Sequence, residues 1–170
     1  MIDVTQRTSL EPAKPDLGPV ALCGACRRLG HCRMGVQSER LDAEGGVTFR
    51  LQCAREHEGG LEVAHGGWTA GVMDELVGHV AVMNGQLAVT GQLNVTFVKP
   101  VPVEQQLVGR AWRERREGSR WFVSAVLSLE ASGADLARAE AILVERDPGH
   151  YTRHAEWLAG ELERSAHGPS

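Results

Sequence analysis

An apolar segment that follows the triplet His65-Gly66-Gly67 constrains the fold more than any other part of the chain. Between Gly66 and Val98 there is no Lys or Arg, and the only titratable side chains are Asp74, Glu75 and His79. The run from Trp68 to Met83 is apolar on nearly every helical face, which predicts a long helix buried inside the domain. Ionised carboxylates are costly in an apolar core unless they are paired, hydrogen-bonded or used in chemistry. The two carboxylates therefore need a partner or a catalytic task.

The residues at the start of this helix favour binding of a carbonyl group. Gly66 and Gly67 let the backbone turn sharply and leave the first unpaired N–H groups of the helix approachable. These groups and the positive end of the helix dipole can stabilise a developing oxyanion. Asp74 lies nine residues after His65, roughly two turns along the helix. A bound carbonyl would lie near a carboxylate from the same helix or from that of a symmetry mate.

These features resemble the hotdog-fold acyl-CoA thioesterases. The resemblance rests on His65-Gly66-Gly67, the acid nine positions later, and the strand end Asn94-Val95-Thr96-Phe97-Val98-Lys99-Pro100-Val101-Pro102. It covers residues 35–146 and is strongest to the phenylacetate-pathway and 4-hydroxybenzoyl-CoA branch. It implies an α+β fold in which a curved antiparallel sheet of about six strands wraps one buried helix. The resemblance further implies a homodimer with a continuous sheet, or a dimer-of-dimers tetramer, with active sites between protomers.

The hydrophobic pattern predicts the same layout without the resemblance. Apolar and polar residues alternate in two segments before the helix and in four after it, which is typical of strands. The predicted strands are 35–41, 47–53, 92–97, 106–116, 120–131 and 135–146. We expect an N-terminal arm with a Cys-rich segment over 1–32, the hotdog domain over 33–147, and a tail over 148–170 that holds a short helix from Tyr151 to Arg164.

Composition fits one globular domain. The chain has 170 residues, 42% of them hydrophobic and 24% charged, which is ordinary for such a domain. A net charge of −4 gives no reason to expect nucleic acid as a partner. The first residues lack the pattern of a secretory signal, and no apolar run approaches the ~18 residues of a membrane span. We therefore expect a cytoplasmic protein with no membrane partner.

Four cysteines leave three interpretations open. The segment Cys23-Gly24-Ala25-Cys26 is followed by His31-Cys32, and Cys53 comes later. Cys-x-x-Cys with a nearby Cys or His is half of a zinc-knuckle pattern, but a second Cys-x-x-Cys pair is missing. Four reduced thiols are the favoured interpretation for a cytosolic protein, with zinc or a redox pair as alternatives. We expect no metal and no cofactor.

The resemblance implies roles for the residues around the helix start. Asp74 would be the catalytic carboxylate, acting as a general base on water or as a nucleophile. Gly67, with Trp68 as a second donor, would polarise the thioester carbonyl through its N–H. His65 would brace the turn, with a role as a base as the alternative. Gly59 stands where some relatives carry Asn, so the water-positioning residue is either His57 or Glu58 or is missing.

The substrate-binding residues are expected to come from the same region. They are Gly66, Trp68, Glu75, Thr90 and Lys99. Glu75 points about 100° away from Asp74 and pairs more naturally with His79 one turn later, although it is also the substitute acid. Lys99 and a cluster of arginines are candidates for contacts with the CoA phosphates, and a solvated hairpin is the alternative for that cluster. The cluster comprises Arg110, Arg113, Arg115, Arg116 and Arg120.

These features predict an acyl-CoA thioesterase that hydrolyses an acyl- or aryl-CoA thioester to a free acid and CoA. One rival is a non-catalytic acyl-CoA-binding or zinc-knuckle protein that uses the hotdog core as a dimer scaffold. A hotdog dehydratase is the other, but it needs a catalytic His and a His-Phe-Pro-like opening that this chain lacks. A Gly-x-Ser-x-Gly elbow is absent from the sequence, which argues against a serine hydrolase.

Overall fold

A computed structural model describes residues 19–166. Most of the arm predicted at the N-terminus and the last four residues of the tail lie outside the described part. The elements before the long helix are α1 (Gly24–Leu29), β1 (Val36–Leu41), β2 (Val47–Gln52), a 3₁₀ turn (Arg55–His57), β3 (Glu58–Gly60) and β4 (Val63–Ala64). The long helix and later elements are α2 (Gly66–Met83), β5 (Ala88–Phe97), β6 (Gln106–Glu117), β7 (Arg120–Leu129), β8 (Asp135–Glu145) and α3 (His150–Ala166).

Six strands form one antiparallel sheet in the order β1-β2-β6-β7-β8-β5. Helix α2 packs on one face of this sheet and contacts β2, β5, β6, β7 and β8. The core lies between them, where Phe49, Leu76 and Trp121 are almost completely buried. Each strand presents alternate residues to the helix, because successive side chains of a strand point to opposite faces. The predicted α+β architecture of six strands and one long helix is confirmed.

Helix α2 is buried as predicted, with ten of its 18 residues buried, but the sheet does not cover it all round. One stripe of the helix faces away from the sheet, and it carries Gly67, Gly71, Asp74 and Gly78 at helical spacing. Gly67 and Asp74 are exposed, and the other two are half-buried. Glycines are neither polar nor strongly apolar, so this stripe does not interrupt the hydrophobic pattern of the sequence. The sheet covers one side of the helix only.

The sheet comes closest to α2 at Gly109 of β6. A Cβ built on Gly109 would lie 2.6 Å from the Leu76 Cδ2 atom, well inside normal contact. Gly109 is also the direct cross-strand partner of buried Phe49. The missing side chain at Gly109 therefore lets Leu76 fill the space between helix and sheet.

Most predicted strands agree with the observed ones within a few residues, and two features, one helix and one hairpin, were not predicted. Helix α1 and the hairpin of β3 and β4 fall in segments that were expected to be irregular. The C-terminal helix α3 is present and longer than predicted, but none of its residues is buried. Its apolar residues Trp157, Leu158 and Leu162 are exposed. Within residues 19–166, no helix is both long and apolar enough to cross a bilayer.

Candidate active site

His65 caps the N-terminus of α2 and holds the turn that precedes it. Its ring nitrogen Nδ1 accepts a hydrogen bond from the Gly67 N–H at 2.9 Å. Its own N–H donates to the His57 carbonyl at 2.7 Å, and its carbonyl accepts the first bond of the helix, from Thr69 N–H at 3.1 Å. This geometry matches the bracing role expected for His65. It also occupies the Gly67 N–H, so Gly66 and Trp68 are the residues whose N–H groups have no acceptor within the helix.

Position 59, on the loop before this turn, has no room for a side chain. A Cβ built on Gly59 would lie 2.7 Å from the His65 Cα and 3.0 Å from its Cβ. Real Cβ atoms do not approach a backbone this closely, so the hairpin can pack against the helix cap only with glycine here. At the neighbouring Gly60, by contrast, a Cβ would have no atom within 4 Å. Position 59 therefore cannot supply the side chain that positions the water.

Trp68 lies on the core side of α2. It is 5% exposed, and its indole stacks on the His57 ring with centroids 6.3 Å apart. Its Nε1–H is buried without a hydrogen-bond partner among the described residues. Trp68 is not part of the lining of the cavity that holds Asp74. A direct substrate contact by its side chain therefore stays a prediction.

Asp74 lies on a cavity of about 390 Å³ at the uncovered stripe of α2. We call this space the α2 cavity, and its walls come from the segment before α1, from α1, from α2 and from β5. The side chains with reactive or polar groups in its lining are Cys23, Arg27, Asp74, Glu75, His79 and Thr90. Asp74 and Glu75 point about 100° apart on the helix, but both line this cavity.

Thr90 reaches this cavity because of a β-bulge in β5. The pairing of β5 with β8 shifts register between Thr90 and Gln92, which reverses the faces to which successive residues point. Before the bulge Ala88 packs towards the core, whereas after it Leu93 and Val95 do so. Simple alternation from Leu93 would have placed Thr90 on the outer face. The bulge places it with Ala88 in the lining of the α2 cavity.

His79 lies between two carboxylates, one buried in the core and one at the cavity. Its Nδ1 lies 2.6 Å from Glu39 Oε2, and its Nε2 lies 3.2 Å from Glu75 Oε2. Glu39 is 0% exposed, and its other oxygen accepts a hydrogen bond from the Ala21 N–H. Burial alone would lower the pKa of His79, but the hydrogen bonds and charges of Glu39 and Glu75 outweigh it and raise the pKa to about 9. His79 is therefore an imidazolium at neutral pH.

The expected pairing of Glu75 with His79 is confirmed, but Glu39 was missed. It lies 40 residues before His79, so no helical or strand spacing connects the two. The pairing of β1 with β2 shifts register between Val36 and Ser38, and this irregularity turns Glu39 towards the core. The buried residues of β1 are therefore Val36 and, three residues later, Glu39. An acidic residue inside an otherwise apolar strand face is the signal that could have found it.

The structure does not bring the start of α2 and Asp74 together within one chain. Asp74 lies seven residues after Gly67, which is about 10 Å along the helix axis. The N–H groups at the helix start also point away from Asp74, so an acceptor bound there would lie further still. The ring of Phe97, which is 58% exposed, lies beside Gly66.

The basic residues proposed for CoA phosphates lie away from the α2 cavity. A hydrogen bond from Arg138 is the main cause that lowers the pKa of Asp135, and the positive charge of Lys99 adds to it. Lys99 itself is exposed. In the arginine cluster, Arg113 stacks over Trp121 and Arg115 over Phe122, at 4.5 and 3.5 Å from the ring centroids. Arg116 forms an ion pair with Glu145 at 2.9 Å. These contacts describe a solvated hairpin, and the phosphate-binding role of the cluster and Lys99 stays a prediction.

The cysteines are free thiols in the described part of the chain. Burial raises the pKa of the Cys53 thiol to about 11. Across residues 19–166, no group of three or more His, Cys, Asp or Glu side chains is arranged to hold a metal ion.

Comparison with known proteins adds sequence evidence. The model of the thioesterase superfamily matches residues 61–134, which include the His-Gly-Gly turn, the α2 helix and Thr90. The mouse (Mus musculus) protein acyl-coenzyme A thioesterase THEM4 is 30% identical over 97 residues, which is 54% of this chain and 42% of the mouse protein. The match therefore spans less than half the length of that relative.

Solved structures show the same fold. The Escherichia coli PaaI protein of the phenylacetic acid degradation operon superimposes with a TM-score of 0.61 at 15% identity, covering 71% of this chain and 87% of PaaI. A hypothetical thioesterase from Streptococcus pneumoniae, solved with coenzyme A, gives 0.57 at 16% identity, covering 61% and 80%. Residues 61–134 of this chain thus resemble the thioesterase superfamily in sequence, and the six-stranded sheet packed on one long helix is the fold that these solved structures share.

Proposed function

We propose that this protein hydrolyses an acyl-CoA thioester to the free acid and CoA. The observation that carries the proposal is the α2 cavity, which is lined by two carboxylates and a hydroxyl, those of Asp74, Glu75 and Thr90. A carboxylate in a cleft can activate water for attack on a thioester carbonyl. The relationship to an acyl-coenzyme A thioesterase and the solved relative with coenzyme A support this class of substrate.

Asp74 is the catalytic carboxylate of the proposal. It is exposed on the helix surface, so a water molecule and a substrate can reach it. The N–H groups at the start of α2 would polarise the thioester carbonyl. The donor would be the N–H of Trp68, because the N–H of Gly67 is already bonded to the His65 ring. Both functions use features of one helix, but the helix holds them about two turns apart.

This separation supports a site completed by a second copy of the chain. One carbonyl cannot touch the start of α2 and lie near Asp74 of the same helix, whereas two antiparallel helices related by a two-fold axis place the start of one beside the middle of the other. The stripe of glycines allows such a close approach, and β5 is an edge of the sheet in the described chain. The proposed assembly is therefore a homodimer joined along β5 and α2, with further pairing to a tetramer open to test.

The activity is tested by hydrolysis of a panel of aromatic and aliphatic acyl-CoAs, with release of free thiol as the readout. Wild type is compared with Asp74→Asn, which keeps the size of the side chain and removes its basicity. We expect the variant to lose about 100-fold or more in kcat, the usual contribution of a general base. The best substrate of the panel then defines the acyl group.

The matched control is Asp147→Asn, because Asp147 is an exposed aspartate that pairs with Arg153 at 2.7 Å and does not line the cavity. It should hydrolyse the same substrates at the wild-type rate. Equal rates for wild type and Asp74→Asn would remove Asp74 from the mechanism. Lack of thiol release by wild type with every substrate would contradict the proposed function itself.

A further inference from the structure

The α2 cavity contains a second carboxylate whose position is set from inside the core. Glu75 follows Asp74 directly, and both line the cavity. The exposed Asp74 extends from the helix surface, whereas Glu75 is tied through Oε2 to the ring of His79 one turn later. The two carboxylates therefore differ in how they are held, although they are neighbours in sequence.

His79 is in turn held from the opposite side. Its Nδ1 meets Glu39 Oε2 at 2.6 Å, shorter than the 3.2 Å between its Nε2 and Glu75. The ring also packs edge-on against Phe49, with centroids 5.0 Å apart. Since Glu39 is fully buried, neither the carboxylate nor the ring can turn away without leaving a charge unpaired in the core. The chain Glu39, His79, Glu75 thus runs from the core to the cavity wall.

Such an arrangement is costly unless it has a use. A buried ion pair is often no more stabilising than apolar residues of similar size, and β1 could have placed a leucine at this position. Strongly perturbed ionisable groups that open into a cleft are characteristic of functional sites. The charged ring directs a hydrogen bond at the Glu75 carboxylate and so fixes the position of that carboxylate.

We propose that Glu39 and His79 are positioning residues that hold the Glu75 carboxylate in a fixed position beside Asp74, where Glu75 orients the water that Asp74 activates. This inference rests on the proposed thioester hydrolysis. It assigns the water-orienting task to α2, which accords with the absence of a side chain at Gly59. A fixed acceptor is required because an attacking water must be aligned with the carbonyl to within a fraction of an ångström.

The proton balance of the step is simple. The attacking water gives one proton to Asp74 and forms a bond to the carbonyl carbon, while its second hydrogen is held by Glu75. Collapse of the tetrahedral intermediate breaks the carbon–sulfur bond and releases the CoA thiolate. The thiolate takes up the proton that Asp74 received from the water. His79 keeps both of its protons throughout, and Glu39 balances its charge.

The ionisation of His79 must then be visible in the pH dependence of the reaction. The ring contacts Glu39 from β1 and Glu75 from α2, and it packs against Phe49 from β2. The other charged or titratable side chains that line the same cavity are Asp74, Arg27 and Cys23. Glu39 and Glu75 are the two in direct contact with the ring. With these partners, the pKa of His79 lies at about 9. Above this pH the ring loses its charge and no longer forms an ion pair with Glu75, so kcat should fall.

The test compares the pH profiles of wild type, Glu39→Gln and His79→Gln for the best thioester of the panel. Glu39→Gln keeps the shape and an acceptor oxygen but removes the charge that supports the imidazolium. We expect the fall in kcat at high pH to move down by about one pH unit or more in Glu39→Gln. It should be absent in His79→Gln, and both variants should lose about 10- to 100-fold in kcat through misalignment of the water, with little change in KM.

Glu130→Gln is the matched control, because Glu130 pairs with Arg50 on the outer part of the sheet and does not line the cavity. Its pH profile should superimpose on that of wild type. Folded Glu39→Gln and His79→Gln proteins with the wild-type profile would overturn the inference while leaving Asp74 and the proposed function intact. An inactive wild type would instead overturn the proposed function and, with it, the role given to Glu75.

A measurement on wild type alone keeps the inference testable if the Glu39 variant does not fold. Nuclear magnetic resonance of the imidazole group reports its protonation directly. At pH 7 the His79 ring should show the signals of an imidazolium and should titrate near the pH at which kcat falls. A neutral His79 ring at pH 7 would overturn the inference.

Discussion

His79 Nδ1 lies 2.6 Å from Glu39 Oε2, so a side chain of the central helix is joined to one from the edge strand β1 across the core. The pair is enclosed, since Glu39 is fully buried and His79 is 8% exposed. It connects the packing of the domain to the cavity, because the other side of the same ring contacts Glu75. Stability and site geometry therefore depend on the same three residues.

The stability of the protein should fall as pH rises between about 6.5 and 9. An unfolded His has a pKa of 6.5, and the folded chain raises that of His79 to about 9, so the folded state holds more protons within this window. The stabilisation is complete below pH 6.5 and lost above 9, with an upper limit of about 3 kcal/mol. Urea unfolding of wild type and His79→Gln across this range measures it. A constant difference between the two proteins would contradict the prediction.

Removing the Glu39 carboxylate should cost far more than removing an exposed one. Glu39→Ala leaves an unpaired histidine and a cavity in the core, and we expect a loss of about 3–5 kcal/mol in the free energy of unfolding. Glu130→Ala breaks the exposed ion pair with Arg50 and should cost about 1 kcal/mol or less. Denaturant unfolding at pH 7 compares them. Similar losses for both variants would mean that Glu39 is not held as the structure shows.

Gly59→Ala should disturb the start of α2, whereas Gly60→Ala should not. The new Cβ at residue 59 would lie 2.7 Å from the His65 Cα, while nothing lies within 4 Å of one at residue 60. Overpacking against backbone typically costs about 1–3 kcal/mol, and the cap made by His65 would shift with it. Thermal unfolding and thioester hydrolysis should both be impaired in the first variant only. Equal behaviour of the two variants would show that the hairpin yields without affecting the cap.

Self-association should depend on the edge strand β5. Asn94 of β5 and Ser124 of β7 are both cross-strand partners of Glu140, so a lysine at either position meets the same carboxylate. A lysine on an edge strand opposes pairing with another copy, and one on the central strand β7 does not. Asn94→Lys should therefore weaken the dimer and its activity about 10-fold or more, while Ser124→Lys behaves as wild type. Analytical ultracentrifugation measures the assembly, and an unchanged dimer in Asn94→Lys would place the interface elsewhere.

Local periodicity was sufficient to predict the central helix, the six strands and the contact of Glu75 with His79. The spacing of four residues puts Glu75 and His79 on consecutive turns wherever the helix lies, and the alternation in β7 and β8 follows from the pleat of any strand. The same reasoning failed where the regular pattern is interrupted. Bulges in β1 and β5 turn Glu39 inwards and Thr90 into the cavity, and neither bulge has a distinct sequence signature.

The sequence by itself determined which segments become the helix and strands, because the hydrophobic effect acts on patterns that repeat every two or 3.6 residues. It also determined that acids lie on a helix that follows a His-Gly-Gly turn. Only the tertiary structure decided that Glu39 supports His79 and that Glu75 and Thr90 share a cavity with Asp74. These relations depend on side chains brought together from distant strands, which no local pattern records.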